Sequence, residues 1–207
     1  MNRRDLIKSI SLTFGYAIAA PTVLTALESC SKKDTSWESL FLNDKEKNYV
    51  THLVDIILPA SDIPGGLDIQ LPQFVDMMLH DMLTEDDKEL FTAGSQLFAD
   101  KFAAVFEQDI SMGDKDKIGQ LFKNYFDLKG DDKSAVLRRQ AMGILLVEPS
   151  EKEDFLLYNF LMQVRSLSLF GYFTSEKIGR EVLNFDPIPG SYNPCIPLED
   201  IGNAWTI

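Results

Sequence analysis

Cysteine and histidine are scarce in this sequence of 207 residues, which contains two of each. No Cys-x-x-Cys-His segment is present, so no c-type haem can be attached. No Gly-x-Gly-x-x-Gly segment is present either, which argues against a dinucleotide pocket of the usual kind. His52 and His80 fall in different predicted helices, and although Asp76 and Asp81 lie near His80, a metal centre needs a third clear ligand. We therefore expect no cofactor, no metal site and no catalytic residue in this chain.

Basic residues are outnumbered by acidic ones. The chain carries 20 Lys and Arg against 32 Asp and Glu, a net charge of −12, and removal of the first 29 residues makes it −13. This balance argues against nucleic acid as a partner. The 177 residues after Cys30 suffice for one domain with a proper core, and the 45% hydrophobic content argues against disorder.

The sequence has no long uninterrupted apolar run. Residues 10–27, "ISLTFGYAIAAPTVLTAL", carry no charge but are diluted by serine, threonine, glycine and Pro21. Such a modest segment is typical of a removable signal peptide rather than a membrane span. It follows "NRRDLIK", in which Arg3 and Arg4 resemble the paired arginines of the bacterial twin-arginine export signal. That signal sends proteins across the inner membrane already folded, so we expect a periplasmic location.

A lipid-attachment motif follows the apolar segment. In "LESC", an aliphatic Leu27 lies three positions before Cys30 and a small residue lies directly before it. Glu28 departs from the usual pattern, and a signal peptide with an unrelated cysteine is the alternative. We predict a twin-arginine signal peptide with a lipobox over residues 1–29, a lipid on Cys30 that anchors the protein to a membrane, and a flexible tether over residues 30–40. With Cys30 acylated, Cys195 is the only thiol left and no intramolecular disulfide can form.

The remaining sequence predicts helices and no convincing strands. Asn43 and Glu46 have the spacing of a capping box, and further helix starts are predicted at Thr84, Ser150 and Ser175. Helices are predicted over residues 43–58, 73–83, 84–106, 115–128, 134–147, 150–173 and 175–183, with a polar turn over residues 129–133. The third of these helices has an apolar stripe that consists of Phe91, Phe98, Phe102 and Val105. This stripe predicts the face of the helix that lies in the core.

The helix through "FLLYNFLMQVRSLSLFGYF", residues 155–173, is apolar on nearly every side. It is too interrupted by polar residues for a membrane span, so it is predicted to be the central helix of a bundle. Arg165 is its one charge, and we expect this side chain to be buried and paired with a carboxylate, anion binding being the alternative. The predicted fold class is all-α, a single-domain helical bundle over residues 41–207.

Helical periodicity ends near residue 184. Residues 185–207 contain four prolines with aromatic residues between them. An irregular tail of this length is uncommon unless it is disordered or binds something. Because its apolar content is too high for a solvated tail, we predict an ordered, extended arm that lies either on its own bundle or on a partner.

Two motifs resemble a known family. "DIILPASDIPGG", residues 55–66, and "GYFTSEKIGREVLNFDPIPGSYNPCIP", residues 171–197, are similar to segments of the gluconate 2-dehydrogenase subunit 3 family. The resemblance extends from about Phe41 to Pro197. The sequence departs from the family at Gly66, where relatives often have alanine. We expect this glycine to loosen the turn without altering the role of the motif.

The resemblance implies an accessory subunit rather than an enzyme. Members of this family accompany a large FAD-containing dehydrogenase of the glucose-methanol-choline type that oxidises sugars or polyols, often with a cytochrome c subunit. The small subunit has no redox cofactor of its own, and its export signal serves the complex. Because FAD is loaded in the cytoplasm, a flavoprotein that works outside must cross folded, and this chain could carry it. The alternative is a lipoprotein scaffold that binds a different periplasmic partner.

The second motif and the arm supply the expected partner contacts. In a bundle, Gly171 lets backbones approach closely, Tyr172 and Phe173 provide rigid apolar area, and Ser175 can cap the short helix that directs the arm. The full set of expected contact residues is Gly171, Tyr172, Phe173, Ser175, Pro187, Tyr192, Cys195 and Trp205.

Overall fold

Seven α-helices and no named strand are present in the computed structural model, which describes residues 37–185, 188, 190, 195–200 and 202–205. The helices are α1 Asp44–Ile57, α2 Leu71–Met82, α3 Glu85–Phe106, α4 Lys115–Phe126, α5 Gly130–Met142, α6 Lys152–Thr174 and α7 Glu176–Glu181. The prediction of an all-α, single-domain fold is confirmed. Arg3, Arg4, Cys30, Pro187 and Tyr192 lie outside the described residues.

Helix α1 begins at the predicted capping box. The Asn43 side chain accepts hydrogen bonds from the backbone N–H groups of Lys45 and Glu46, both at 3.0 Å. In return the Glu46 carboxylate accepts from the Asn43 backbone N–H at 3.0 Å. These bonds satisfy N–H groups that have no partner within the helix, which fixes where α1 starts.

Two of the other three predicted helix starts are confirmed. Thr84 accepts from the backbone N–H of Asp87, and Ser175 accepts from that of Ile178. The start at Ser150 is wrong, because Pro149 begins a 3₁₀ turn, Pro149–Glu151, that contains Ser150. Helix α6 follows this turn directly, without a side-chain cap.

The predicted polar turn at residues 129–133 is also wrong, since α5 begins at Gly130. Its first turn holds Asp131 and Asp132, whose charges are favourable at a helix N-terminus. The helix ends at Met142 rather than running on to residue 147, because Gly143 has a left-handed φ of 79° and a 3₁₀ turn follows.

The core is built around α6. Its buried Phe160 contacts three aromatic rings at centroid distances of 5.1 Å to Phe91, 5.7 Å to Phe98 and 6.1 Å to Tyr49. These rings come from α3 and α1, so one aromatic cluster joins three helices. The predicted core stripe of α3 is confirmed except at Val105, which is 58% exposed. In that last turn of α3, Phe106 rather than Val105 packs on Phe102, at 4.7 Å.

Backbones of α3 and α6 touch at Gly94. A Cβ atom added there would overlap the carbonyl oxygen of Leu156 and lie 2.8 Å from the Cβ of Phe160. A larger residue at position 94 would force α3 and α6 apart.

Helix α6 is less enclosed than its sequence suggests. The prediction that Arg165 is buried and ion-paired is wrong, because this residue is exposed and has no ion pair with any described residue. The physical reason is that neighbouring helices do not surround the C-terminal half of α6 completely. None of the described helices combines the length and apolar content needed to cross a membrane.

Candidate functional site

The two sequence motifs meet at one end of the bundle. The hydroxyl of Tyr172 donates a hydrogen bond to the carbonyl oxygen of Pro64 at 2.8 Å, across 108 residues of sequence. Burial also raises the pKa of Tyr172, so the phenol remains the donor. We call this region the motif corner and define it as residues 58–66, Leu71–Phe74 and residues 171–175.

The first motif forms a tight loop after α1. The backbone N–H of Gly66 donates to the Leu58 carbonyl at 2.8 Å, and that of Gly65 donates to the Asp68 carboxylate at 2.9 Å. A Cβ on Gly65 would overlap the backbone of Ala60, and a Cβ on Gly66 would lie 2.7 Å from Val54. Both glycines therefore let the loop fold directly onto α1. The idea that Gly66 loosens the turn does not fit this close packing.

The second motif packs against α2. A Cβ on Gly171 would lie 2.5 Å from the ring of Phe74 and 2.8 Å from Leu71, so the expected close approach at this glycine is present. Tyr172 is buried, whereas Phe173 is 39% exposed. Only Phe173 of these two aromatic residues offers substantial surface to a partner.

Ser175 links α6 to α7. Its hydroxyl donates to the Tyr172 carbonyl at 3.0 Å and accepts from the Ile178 backbone N–H at 3.3 Å. Ile178 is fully buried, so α7 is fixed against the bundle. This capping role agrees with the one expected from the sequence.

The described part of the arm returns to the end of α7. The backbone N–H of Asn184 donates to the Ala204 carbonyl at 2.9 Å, and the Asn203 side chain donates to the Val182 carbonyl at 2.6 Å. Trp205 forms a single parallel bridge with Asn184 while 60% of its surface remains exposed. The Cys195 thiol is exposed as well. The end of the arm is thus hydrogen-bonded to the residues that follow α7. The two described contact candidates of the arm, Cys195 and Trp205, are exposed.

A buried carboxylate that sequence reasoning missed holds the start of the domain. Asp76 of α2 is 1% exposed and accepts three backbone N–H groups, from Leu40 at 2.6 Å, Phe41 at 3.1 Å and Leu42 at 2.8 Å. Three such bonds compensate the burial of a charge. The one sequence signal was an aspartate between the buried positions Val75 and Leu79. Asp76 therefore fixes the segment that connects the predicted tether to the bundle.

Asp76 does not form a site with the neighbouring histidine. His80 is exposed and contacts Asp81 at 2.7 Å, whereas Asp76 is buried against residues 40–42. In the part of the chain that the structure describes, no group of three or more His, Cys, Asp or Glu side chains is placed to hold a metal ion.

Replacing Asp76 with asparagine should destabilise the protein by about 1–3 kcal/mol. The new amide nitrogen would face either the Leu40 N–H or those of Phe41 and Leu42, and it cannot accept a hydrogen bond. Urea denaturation measures the loss of stability, and limited proteolysis at residues 37–42 measures release of the segment. Asp81→Asn, on the exposed surface of the same helix, is the matched control. Equal stability and equal protection in both variants would contradict the anchoring role.

A second buried polar cluster joins α1 to α3. The Ser95 hydroxyl donates to the Glu46 carboxylate at 2.7 Å and also bonds the Tyr49 hydroxyl. Burial is the main cause of the raised pKa of Tyr49. Glu46 and Tyr49 line a cleft of about 120 Å³, together with the ion-paired Lys45 and Asp109. Because the polar side chains of the cluster bond one another or the cap of α1, the cluster supports the packing of α1 on α3.

Comparison with known proteins identifies the family. The family model described as gluconate 2-dehydrogenase subunit 3 matches residues 44–190, which include α1 to α7 and the whole motif corner. No curated protein and no solved structure matches the chain. The match covers more than half of the sequence and contains the Tyr172–Pro64 contact that joins the two motifs. The chain therefore belongs to the gluconate 2-dehydrogenase subunit 3 family.

Proposed function

We propose that this protein is the non-catalytic small subunit of a periplasmic, flavin-dependent sugar or polyol dehydrogenase of the glucose-methanol-choline type. In this proposal it escorts the flavoprotein through the twin-arginine route and stabilises it afterwards. The observation that carries the proposal is the family match over residues 44–190, since the family consists of subunits of a dehydrogenase complex.

The buried polar groups support a structural rather than a chemical role for this chain. Asp76 binds backbone N–H groups, and Glu46 binds the cap of α1 and the hydroxyl of Ser95. A catalytic acid or base must instead reach a substrate proton. The chemistry of the complex then belongs to the partner, which holds the FAD.

Paired arginines at the N-terminus support the export role. Arg3 and Arg4 precede an uncharged segment, and Cys30 follows it. A flavoprotein loaded with FAD in the cytoplasm must cross the membrane folded, and a bound small subunit with this signal would take it across. A lipid on Cys30 would then keep the complex on the periplasmic side of a membrane, where a cytochrome c subunit could accept electrons.

The proposal is tested by producing the large flavoprotein subunit of the same organism with and without this chain. We expect dye-linked dehydrogenase activity in the periplasmic and membrane fractions only when the chain is present. The control is the large subunit fused to an unrelated twin-arginine signal, which should reach the periplasm alone. Equal periplasmic activity of the unfused large subunit with and without the chain would overturn the escort role.

A further inference from the structure

Helix α5 is attached to the bundle more weakly than the helices around it. Of its 13 residues only Val136 is buried, whereas α6 buries nine of its 23. The Gln140 side chain donates a hydrogen bond to the Phe155 carbonyl of α6 at 2.9 Å. Arg139 forms an ion pair with Glu151 at 3.5 Å, and because both side chains are partly exposed this pair adds little stability.

The sequence of α5 gives the helix little stability of its own. Lys129 precedes it and makes no capping bond with its side chain, whereas α1, α3 and α4 all begin with a side-chain cap. A helix of this length is marginal in water when nothing packs against it. Helix α5 is therefore helical because it packs on α6, and separation from α6 should unfold it.

Glycines with left-handed φ values stand at both ends of α5. The angle is 56° at Gly130 and 79° at Gly143. A Cβ at either position would meet no atom within 4 Å, so the backbone conformation and not close packing favours glycine there. Because residues at the ends of an element absorb the backbone rotations of a moving segment, these two glycines are suited to act as hinges.

The chain is fixed on either side of these hinges. Phe126, the last residue of α4, stacks on Phe122 with a centroid distance of 4.4 Å. Val147, four residues after Gly143, is 6% exposed. A movement of α5 can therefore be confined to residues 127–146 while the flanking elements stay in place.

Helix α5 covers apolar side chains of α6. Phe155 and Tyr158 are both buried, and Tyr158 also packs edge-on against Tyr125 of α4 at 5.8 Å. Burial raises the pKa of Tyr158, with smaller effects from nearby charges that include Asp132 and Arg139 of α5. Since α5 lies against this side of α6, its departure would expose part of Phe155 and Tyr158 to solvent.

We propose that α5 is a strap that separates from α6 and packs on it again while the rest of the bundle stays folded. Opening uncovers the side of α6 that carries Phe155 and Tyr158, and closing covers it again. The position of α5 therefore controls access to this apolar surface. Local opening of this kind needs a weakly attached element between fixed neighbours, which is the arrangement of α5. The inference concerns this chain alone and does not depend on the proposed function.

Amide hydrogen exchange of the full chain, followed by mass spectrometry of its peptides, tests this inference. The closed strap should slow exchange in α5 at least about tenfold relative to an unstructured chain, yet α5 should exchange at least about 100-fold faster than α6. Low concentrations of urea should accelerate exchange in α6 more than in α5, because global unfolding exposes more surface than local opening. Equal rates in α5 and α6, or an α5 without any protection, would overturn the inference.

Two alanine variants test which contact closes the strap. Gln140→Ala removes the hydrogen bond to Phe155 and should accelerate exchange in α5 by a further factor of about three to ten, with exchange in α6 unchanged. Arg138→Ala is the matched control, since it shortens an exposed side chain of the same helix and should change exchange in α5 by less than about twofold. Circular dichroism and thermal melting establish that both variants are folded.

The variants also supply outcomes that would contradict the strap. If Gln140→Ala accelerates exchange in α6 as much as in α5, the two helices open together and the inference is overturned. Equal exchange of α5 in the two variants would overturn it too, because the contact with the Phe155 carbonyl would then not hold α5 closed.

Discussion

If the proposed escort role is right, lysine at both Arg3 and Arg4 is expected to leave this protein, and a flavoprotein bound to it, in the cytoplasm. The twin-arginine receptor reads two adjacent guanidinium groups, and the ammonium group of lysine keeps the charge but not the planar, five-donor geometry. The net charge of the segment is unchanged, so a loss of export would report recognition rather than electrostatics. Fractionation followed by immunoblotting and dye-linked activity measures the distribution of both subunits.

The chain offers a second arginine pair as the control. Arg138 and Arg139 are adjacent in α5, and Arg139 contacts Glu151 at 3.5 Å. Replacing this pair with lysine changes the same number of guanidinium groups within the folded domain and should leave export intact. Undiminished periplasmic activity in the Arg3 and Arg4 variant would show that the flavoprotein crosses by another route, and the escort role would then be wrong.

Features that depend on a few neighbouring residues could be predicted from the sequence. The reciprocal bonds of Asn43 and Glu46 need only three residues of spacing, and the cap at Ser175 is equally local. Helical periodicity alone predicts that the stripe of Phe91, Phe98 and Phe102 is buried, as it is. The predicted helix start at Ser150 was wrong because Pro149, directly before it, begins a 3₁₀ turn instead.

Features that depend on how helices pack could not be predicted in this way. An aspartate in α2 carries no sign that its partners are the N–H groups of residues 40–42, which lie 34 to 36 positions earlier. Arg165 was expected to be buried because the sequence of α6 is apolar on nearly every side, yet this residue is exposed, since the neighbouring helices do not surround the C-terminal half of α6 completely.

The contact between α3 and α6 leads to the largest expected effect on stability. Gly94→Ala should destabilise the protein by about 3 kcal/mol, because the new methyl group would overlap the carbonyl oxygen of Leu156. The other close atom is the Cβ of Phe160. Neither a helix backbone nor a buried aromatic residue can move aside by itself. For a domain of this size that loss corresponds to a fall in melting temperature of roughly 10 °C. Thermal and urea denaturation measure it directly.

Gly119→Ala is the matched control for this substitution. Gly119 is also a buried helix glycine, in α4, but a Cβ there would meet only Ile56, at 3.6 Å, which is an ordinary contact. Alanine at position 119 should therefore stabilise the protein by about 0.5–1 kcal/mol, since it lowers the conformational entropy of the unfolded chain. The two substitutions add the same methyl group, so opposite signs would isolate the close approach of α3 to α6 as the cause. Equal stability of the two variants would mean that the two helices can separate at little cost, and the packing around Phe160 would then not depend on Gly94.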